Sequence, residues 1–164
     1  MATFRVNSSR RDPYKNFKFR VKWDGRYVAG VAEVSGLKST SEAVKHRKAP
    51  SQSSARKIPG LKKSGAVTLK RGVTHDRKFE AWATSAWADA AGSAGEGLQK
   101  NARRNVNIDV YNEAGKISLS YKLHKCWVSE IQAVADLDAN ANGVAIESIK
   151  LENEGWELQK ATRL

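Results

Sequence analysis

Apolar and basic residues alternate strictly near the start of the chain. The apolar positions are Phe17, Phe19, Val21 and Trp23. A period of two is expected of a strand with one buried face. Asp24 and Gly25 then provide a tight-turn signal, and residues 26–34 resume as a second strand. The pattern therefore predicts a β-hairpin over residues 16–34.

The C-terminal half carries a second pattern of this kind. Apolar residues alternate with polar ones from Val106 to Val110 and again from Ile117 to Leu123, with a turn signal at 112–115. We expect the second of these strands to continue to about residue 134 after a register change near Lys125 and Cys126. A further strand is predicted over residues 144–158, anchored by Ile149 and Leu151.

Between these hairpins, a short strand over residues 66–73 is followed by a helical pattern. Thr74 offers an N-cap and Asp76 favours the first turn, so we expect a helix from about residue 75 to about residue 90. Its apolar stripe comprises Phe79, Trp82, Ala83, Ala86 and Trp87. We expect Phe79, Trp82 and Trp87 to pack the helix on the sheet. A glycine-rich loop over residues 92–97 ends it.

Residues 38–64 depart from all these patterns because they are rich in Lys, Arg, Ser and Pro, with almost no large apolar residues. Their flanks, 40–46 and 57–63, could pair as a long exposed hairpin whose open edges await another subunit. The alternative is a flexible, solvated basic loop. The cations that we expect to contact a partner are Lys45, Arg47, Lys48, Arg56, Lys57, Lys62 and Lys63.

The order of elements predicts a mainly antiparallel β protein with one helix covering a sheet face. At 164 residues the chain is sized for one core. We expect an N-terminal arm at 1–15, a single domain at 16–158 that includes the 38–64 extension, and a C-terminal tail at 159–164.

Charge is distributed unevenly, although the total is +12. Residues 1–80 hold 20 Lys and Arg against 6 Asp and Glu, a net +14, whereas residues 81–164 hold 9 against 11, a net −2. Such asymmetry indicates a nucleic-acid surface or an acidic protein partner. With no signal-peptide pattern, no membrane-length apolar run and a single cysteine, we expect cytoplasmic synthesis and no membrane anchor.

Candidate chemistry is sparse in this sequence. His46, His75 and His124 lack metal-ligand spacing, and Cys126 is better explained as a small buried hydrophobe than as a nucleophile. Asp136, Asp138 and Asn140 resemble a calcium loop with Glu147 in the twelfth position, but Ala141 occupies the glycine position, so calcium binding is a minor alternative. We therefore predict no catalytic residues, no metal site, no cofactor and no enzymatic activity.

Six segments are spread over most of the chain: residues 12–21, residues 31–37, a proline-glycine turn at 57–60, a strand at 67–73, the helix at 79–82 and a closing strand at 142–156. In this order they resemble the tail tube proteins of contractile phage tails and related contractile injection systems. The resemblance implies a β-sandwich or barrel with one flanking helix. It also implies a structural subunit that forms homo-hexameric rings. The rings would stack into a hollow tube inside a sheath, and the tube would meet baseplate and terminal cap proteins.

The same resemblance implies that a cargo passes through the lumen of the tube. The cargo would be DNA or a protein effector, and the tube would belong to a phage tail, a tailocin or an injection particle. A strongly positive wall would hold DNA phosphates, so the excess charge should lie elsewhere, on the sheath side or between rings, or the cargo is not DNA. The competing hypothesis is a nucleic-acid-binding β-barrel in which Phe17, Phe19 and Tyr27 form a stacking surface beside nearby cations.

Overall fold

The computed structural model describes residues 18–28, 30–46, 56–91, 103–140 and 143–161. Within these ranges it contains ten strands and one helix. In chain order they are β1 (Phe19–Trp23), β2 (Arg26–Val28), β3 (Val31–Val34), β4 (Ser39–His46), β5 (Arg56–Ser64), β6 (Val67–Gly72), α1 (Lys78–Ala91), β7 (Arg104–Tyr111), β8 (Ile117–Gln132), β9 (Ile146–Glu152) and β10 (Trp156–Ala161). The predicted arm at 1–15 and the glycine-rich loop at 92–97 lie outside the described residues.

Eight strands form one antiparallel sheet in the order β2-β1-β7-β8-β9-β6-β3, with β10 also paired to β8. The 16-residue strand β8 joins its two halves, because residues 119–123 pair with β7 and β10 and residues 127–132 pair with β9. Within the described ranges the sheet does not close into a barrel. The predicted fold class, mainly antiparallel β with a sandwich-like arrangement and one helix, is confirmed.

A bulge in β8 lies where the sequence predicted a register change. Arg104 is opposite Cys126, but Val106 is opposite Leu123, so β8 carries one extra residue there. Lys125 adopts a φ of 48°, which bulky residues rarely adopt outside bulges and turns. The hairpin of β7 and β8 and its bulge are both confirmed.

The first predicted hairpin is only half correct. β2 pairs with β1 around Asp24 and Gly25, but the strand predicted over 26–34 ends at Val28. Gly30 has a φ of 75°, and the chain then enters β3, which pairs with β6. The positive φ at Gly30 interrupts the extended backbone, so residues 31–34 join the other half of the sheet.

The strand predicted over 144–158 is likewise divided into β9 and β10. The backbone N–H groups of His124 and Glu154 bond to the carbonyls of Gly155 and His124, at 2.9 and 3.0 Å, so the break lies against the β8 bulge. Gly155 has a φ of 142°. β10 continues to Ala161, beyond the predicted end of the domain at 158.

The helix begins at Lys78, three residues later than predicted. Asp76 caps it, because its Oδ1 accepts the backbone N–H of Lys78 at 3.1 Å, whereas the Thr74 hydroxyl accepts the N–H of Asp76 at 3.2 Å. Phe79 and Trp82 are fully buried and their rings lie 5.7 and 4.8 Å from that of Trp23. They complete a core whose fully buried members include Val21, Leu69, Val106, Leu123, Val128, Ile149 and Leu151.

Candidate assembly surface

β4 and β5 form a two-stranded ribbon that is separate from the main sheet. In the described part of the chain they pair only with each other, from Ser39 opposite Ser64 to His46 opposite Arg56. An eight-residue strand reaches about 25 Å. The predicted pairing of the two flanks is confirmed, and the flexible-loop interpretation is wrong for residues 39–46 and 56–64.

The base of the ribbon is anchored to the sandwich. The Gly65 N–H donates to the carbonyl of Lys38 at 2.8 Å, and the Asn153 amide donates to the carbonyl of Gly65 at 3.0 Å. Asn153 belongs to the turn between β9 and β10, so both strands of the ribbon leave the sandwich at a fixed point. The direction of the ribbon is therefore set by the core.

A bulge near the middle of β5 fixes which side chains share a face. Ser41 is opposite Lys62 and Ala43 is opposite Pro59, so Glu42 alone faces both Gly60 and Leu61. A Cβ on Gly60 would lie 2.7 Å from the carbonyl oxygen of Glu42. Such an approach leaves room for glycine alone, which makes Gly60 a requirement of this register.

One face of the ribbon is apolar. Val44 lies opposite Ile58, and Glu42, two residues before Val44, shares its face. Lys63 bonds to Glu42 at 3.1 Å, which places Leu61, two residues from Lys63, on that face as well. Val44, Ile58 and Leu61 are 53%, 46% and 84% exposed. We call these three residues the apolar face.

The other face is cationic. Lys45 lies directly opposite Lys57, and Lys62 is opposite Ser41, two positions along the same face. All three lysines are exposed. Like charges opposite each other disfavour the pairing, and no acidic residue of the described chain forms an ion pair with them. We call Lys45, Lys57 and Lys62 the lysine face.

The remaining predicted contact residues do not all join this face. Lys63 points to the apolar side and is paired with Glu42. Arg56 occupies the last pair of the ribbon, opposite His46. Arg47 and Lys48 lie outside the described residues. The structure therefore gathers three of the seven predicted cations on one surface.

The predicted helix-packing residues also divide. Phe79 and Trp82 are fully buried, but Trp87 is 45% exposed. Its indole N–H donates to the carbonyl of Val128 at 3.2 Å, which ties the end of the buried stripe to β8. Trp87 thus combines one hydrogen bond with a surface position.

A buried cluster around Arg71 joins the helix to the sheet and was not anticipated. Arg71 is fully buried, pairs with Glu147 on β9, and bonds to both the backbone carbonyl and the carboxylate of Asp76. Its guanidinium lies 4.1 Å from the centre of the Phe79 ring. The sequence did contain a signal for this pair. At a period of two, Arg71 shares a strand face with the buried Leu69, and Glu147 shares one with the buried Ile149. The Arg71 pairing also holds Glu147 away from the calcium role considered above.

On the outer face of the sheet, Asp109 organises a hydrogen-bonded network. It is 3% exposed and accepts hydrogen bonds from the hydroxyls of Ser120, at 2.6 Å, and Tyr27, at 3.1 Å. The Tyr111 hydroxyl donates to that of Tyr27 at 3.2 Å. The bond from Tyr111, burial and the Asp109 charge together raise the pKa of Tyr27 well above its usual value. Arg20 lies over both tyrosine rings.

This network is inconsistent with the predicted base-stacking surface. Tyr27 pairs with Lys22 and faces outward, whereas Phe19 shares the inward face of Val21 and packs against the core. Phe17 lies outside the described residues. Phe19 and Tyr27 are on opposite sides of the sheet, so the stacking surface proposed from the alternation is wrong.

Cys126 and His124, two side chains that could in principle serve in catalysis or metal binding, each have a simple structural role. Cys126 is fully buried, and burial raises the pKa of its thiol to about 12. His124 lies 3.2 Å from Glu157. Among the described residues, no cluster of three metal-ligating side chains occurs, and no helix is both long and apolar enough to cross a membrane.

The protein is an antiparallel sandwich with a projecting ribbon, whose outer edges are unpaired in the described chain and whose two faces differ in polarity. This is the architecture of a structural subunit that assembles with other chains. The family model for the T4-like virus tail tube protein gp19 matches residues 15–157. The chain belongs to this family, and it is a structural tail tube subunit. A comparison with curated proteins gave no match.

Solved structures share the fold at low identity. A chain from the PVC sheath-tube complex of an extracellular contractile injection system, in its extended state, is 18% identical with a TM-score of 0.72, covering 91% of this chain and 93% of that one. A chain from the anti-feeding prophage cap (AFP tube terminating cap) is 20% identical with a TM-score of 0.74, covering 98% and 100%. An Hcp protein is 11% identical with a TM-score of 0.53, covering 87% and 92%.

Proposed function

We propose that this tube subunit assembles as hexameric rings that stack into a hollow conduit, and that the β4–β5 ribbon makes the contact between neighbouring subunits. The observation that carries the proposal is the ribbon itself. The apolar face of the ribbon is exposed in the single chain. Neither outer edge of the ribbon pairs with another strand in the described part of the chain. Open edges and exposed apolar side chains are stabilised when another chain covers them.

The proposed surroundings are a contractile sheath, a baseplate and a terminal cap. Structures with this fold come from a PVC sheath-tube complex, an AFP baseplate and an AFP tube terminating cap. On this proposal the protein is made in the cytoplasm, enters a phage tail or injection particle, and acts through geometry without catalysis. The lumen conducts DNA or a protein effector.

The lysine face bears on where the ribbon lies. If the ribbon faced the lumen, its lysines Lys45, Lys57 and Lys62 would hold the phosphates of DNA in transit. If the ribbon lay between subunits or against the sheath, carboxylates of the neighbouring protein would neutralise these lysines. We therefore place the ribbon between subunits or on the sheath side of the tube and away from the lumen.

A ribbon deletion tests the proposal. Because Lys38 and Gly65 are hydrogen-bonded at the base, residues 39–64 can be replaced by a short glycine linker without pulling on the sandwich. Native mass spectrometry should show six-chain species for the wild type and monomers for the deletion, with far-ultraviolet circular dichroism showing that both fold. Six-chain species that persist at the same concentration in the deletion would overturn the role of the ribbon.

A further inference from the structure

A cleft of about 420 Å³ opens on the outer face of the sheet, at the end where β1 stops and β7 starts. Volumes of this order hold small ligands. Three cations line the cleft from that face, Lys22, Arg103 and Lys122, and we call this site the cationic cleft. A concave surface that carries one sign of charge concentrates ligands of the opposite sign.

The strand register places the two lysines of the cleft on one face with an asparagine between them. Lys22 on β1 is opposite Asn107 on β7, and Asn107 is opposite Lys122 on β8. The next residues along β1 and β8, Trp23 and Leu123, are buried in the core, so the two lysines point to the outer face. Adjacent strands lie about 5 Å apart, which puts the Cα atoms of the lysines about 10 Å apart. Both ammonium groups can therefore reach one anion above β7.

Arg103 and Asn105 add hydrogen-bond donors at the other end of the cleft. By the period of two, both share the outward face of Asn107. Arg103 pairs with Glu154, but a guanidinium carries more N–H donors than one carboxylate accepts. The side-chain oxygen of Asn105 accepts the backbone N–H of Lys125 at 3.0 Å, which leaves the N–H donors of its amide for a ligand.

Neither lysine of the cleft forms an ion pair within the described part of the chain. The ammonium nitrogen of Lys22 lies 5.6 Å from the centre of the Tyr27 ring. Lys122 is opposite Glu157 on β10, but the carboxylate of Glu157 lies 3.2 Å from His124 instead. Both lysines are half-buried, and a partly desolvated charge without a counterion is stabilised when an anion reaches it.

The carboxylates beside the cleft do not cancel its charge. Asp24 also lines it, but this carboxylate is bonded at 2.8 Å to Arg104, which approaches from the end of the sheet. The three cations of the cleft and two neighbouring ones, Arg104 and Lys125, face Asp24, Glu154 and Glu157, a net charge of 5 − 3 = +2. Asp109, further along β7, is buried and already accepts hydrogen bonds from two hydroxyl groups.

We propose that the cationic cleft binds a phosphate group, which accepts hydrogen bonds from Lys22 and Lys122 on two sides and from Arg103 and Asn105 on a third. Phosphate suits this arrangement because it carries about two negative charges near neutral pH and presents several acceptor oxygens in different directions. A single carboxylate carries one charge and its two oxygens point the same way. Every residue of the site belongs to one chain, so binding does not depend on assembly into a tube.

Isothermal titration calorimetry of the full-length protein with inorganic phosphate, at an ionic strength held constant with sodium chloride, tests the site. The wild type should show saturable binding. The double variant K22Q/K122Q removes two charged donors from the cleft and should weaken phosphate binding about tenfold or more. K116Q/K150Q is the matched control, because it removes the same charge from exposed positions outside the cleft, and it should bind phosphate as the wild type does. Arg103→Gln, at a more exposed lining position, should also weaken binding and keeps the test open if far-ultraviolet circular dichroism shows that K22Q/K122Q is unfolded.

Three further probes identify the ligand chemistry and its source. Adenosine triphosphate that binds more tightly than a short single-stranded oligonucleotide, with the affinity lost in K22Q/K122Q, would support a free phosphate compound. The reverse order, with the same loss, would support the phosphates of a nucleic-acid backbone. Acetate that binds as tightly as phosphate would overturn the choice of ligand. Equal phosphate affinity in K22Q/K122Q and in K116Q/K150Q, or no phosphate binding by the wild type, would overturn the site and would leave the tube function intact.

Discussion

Single residues decide how the helix is held on this sandwich. Arg71 lies at a buried-face position of β6, where a hydrophobic residue would be expected, and it satisfies its guanidinium with Glu147, Asp76 and the face of Phe79. Planar, always charged and able to donate in several directions, arginine suits this site better than lysine. Its partners come from a neighbouring strand and the start of the helix, so one side chain joins three elements.

Arg71→Met should destabilise the protein severely, because it leaves the carboxylate of Glu147 without its buried partner. Breaking a buried ion pair from one side costs about 3–5 kcal/mol. Lys70→Met is the matched control, since Lys70 pairs with Glu33 at the surface and should lose less than about 1 kcal/mol. Urea unfolding would measure both, and similar losses for the two variants would contradict the role given to Arg71.

The Cys126 thiol should be inert in the folded protein. Because burial raises its pKa to about 12, the folded thiol remains protonated at a pH where the unfolded thiol ionises, so stability should fall as pH rises from about 9. A chromogenic thiol reagent at pH 9 should label Cys126 only after denaturation, whereas the thiol introduced by Leu61→Cys, at an exposed position, should react at once. Rapid labelling of native Cys126 would refute this.

At the scale of elements, the ribbon depends on its bulge. A one-residue slip of one strand past the other would exchange the faces of its side chains, dispersing the apolar face. Gly60 prevents the slip by allowing the backbone of Glu42 to approach closely. None of the ribbon side chains that the structure describes belongs to the buried core, so the register of the ribbon can fail while the sandwich remains folded.

Gly60→Ala should therefore impair assembly and leave the core intact, since the added Cβ would lie 2.7 Å from the Glu42 carbonyl oxygen. Gly36→Ala is the control, because a Cβ there has no neighbour within 4 Å among the described residues. Sedimentation velocity should show fewer large species for G60A only, with unchanged urea midpoints for both. A loss of core stability in G60A would indicate that the ribbon is part of the core.

The helix depends unequally on its two tryptophans. Trp82→Ala removes a fully buried ring that lies 4.8 Å from Trp23, and should cost about 3–5 kcal/mol. Trp87→Ala removes a half-exposed ring with one hydrogen bond, so its loss should be clearly smaller. Thermal unfolding of the two variants gives the comparison, and an equal or larger loss in W87A would contradict the assigned packing.

At the scale of the whole molecule, the sequence predicted the elements better than their connections. Period-two alternation identified both strands of the second hairpin, whereas the pairing of the flanks of residues 38–64 was one of two alternatives that their polar composition left open. Gly30 and the 153–155 break were missed because apolar residues stand on both sides of each, and the shift in their phase, from Val28 to Val31 and from Leu151 to Trp156, was not used. Pairing of β3 with β6 and of β10 with β8 depends on contacts distant in sequence, which local patterns do not carry.

The candidate surface was predictable in place but not in form. Composition located the cations, whereas their separation from Val44, Ile58 and Leu61 depends on the bulge at Gly60, which only the register shows. The Tyr27 network was mistaken for part of a stacking face because alternation within one strand does not tell which face is covered by a helix or a second layer. Tertiary packing decided both points.

Cryo-electron microscopy of the purified full-length protein, at rising concentration, tests the central claim most directly. The account predicts rings of six subunits that stack into hollow tubes, with density for the β4–β5 ribbon between adjacent copies. Monomers of 18.1 kDa at every concentration, together with salt-sensitive binding of oligonucleotides by those monomers, would contradict it and support the nucleic-acid-binding alternative.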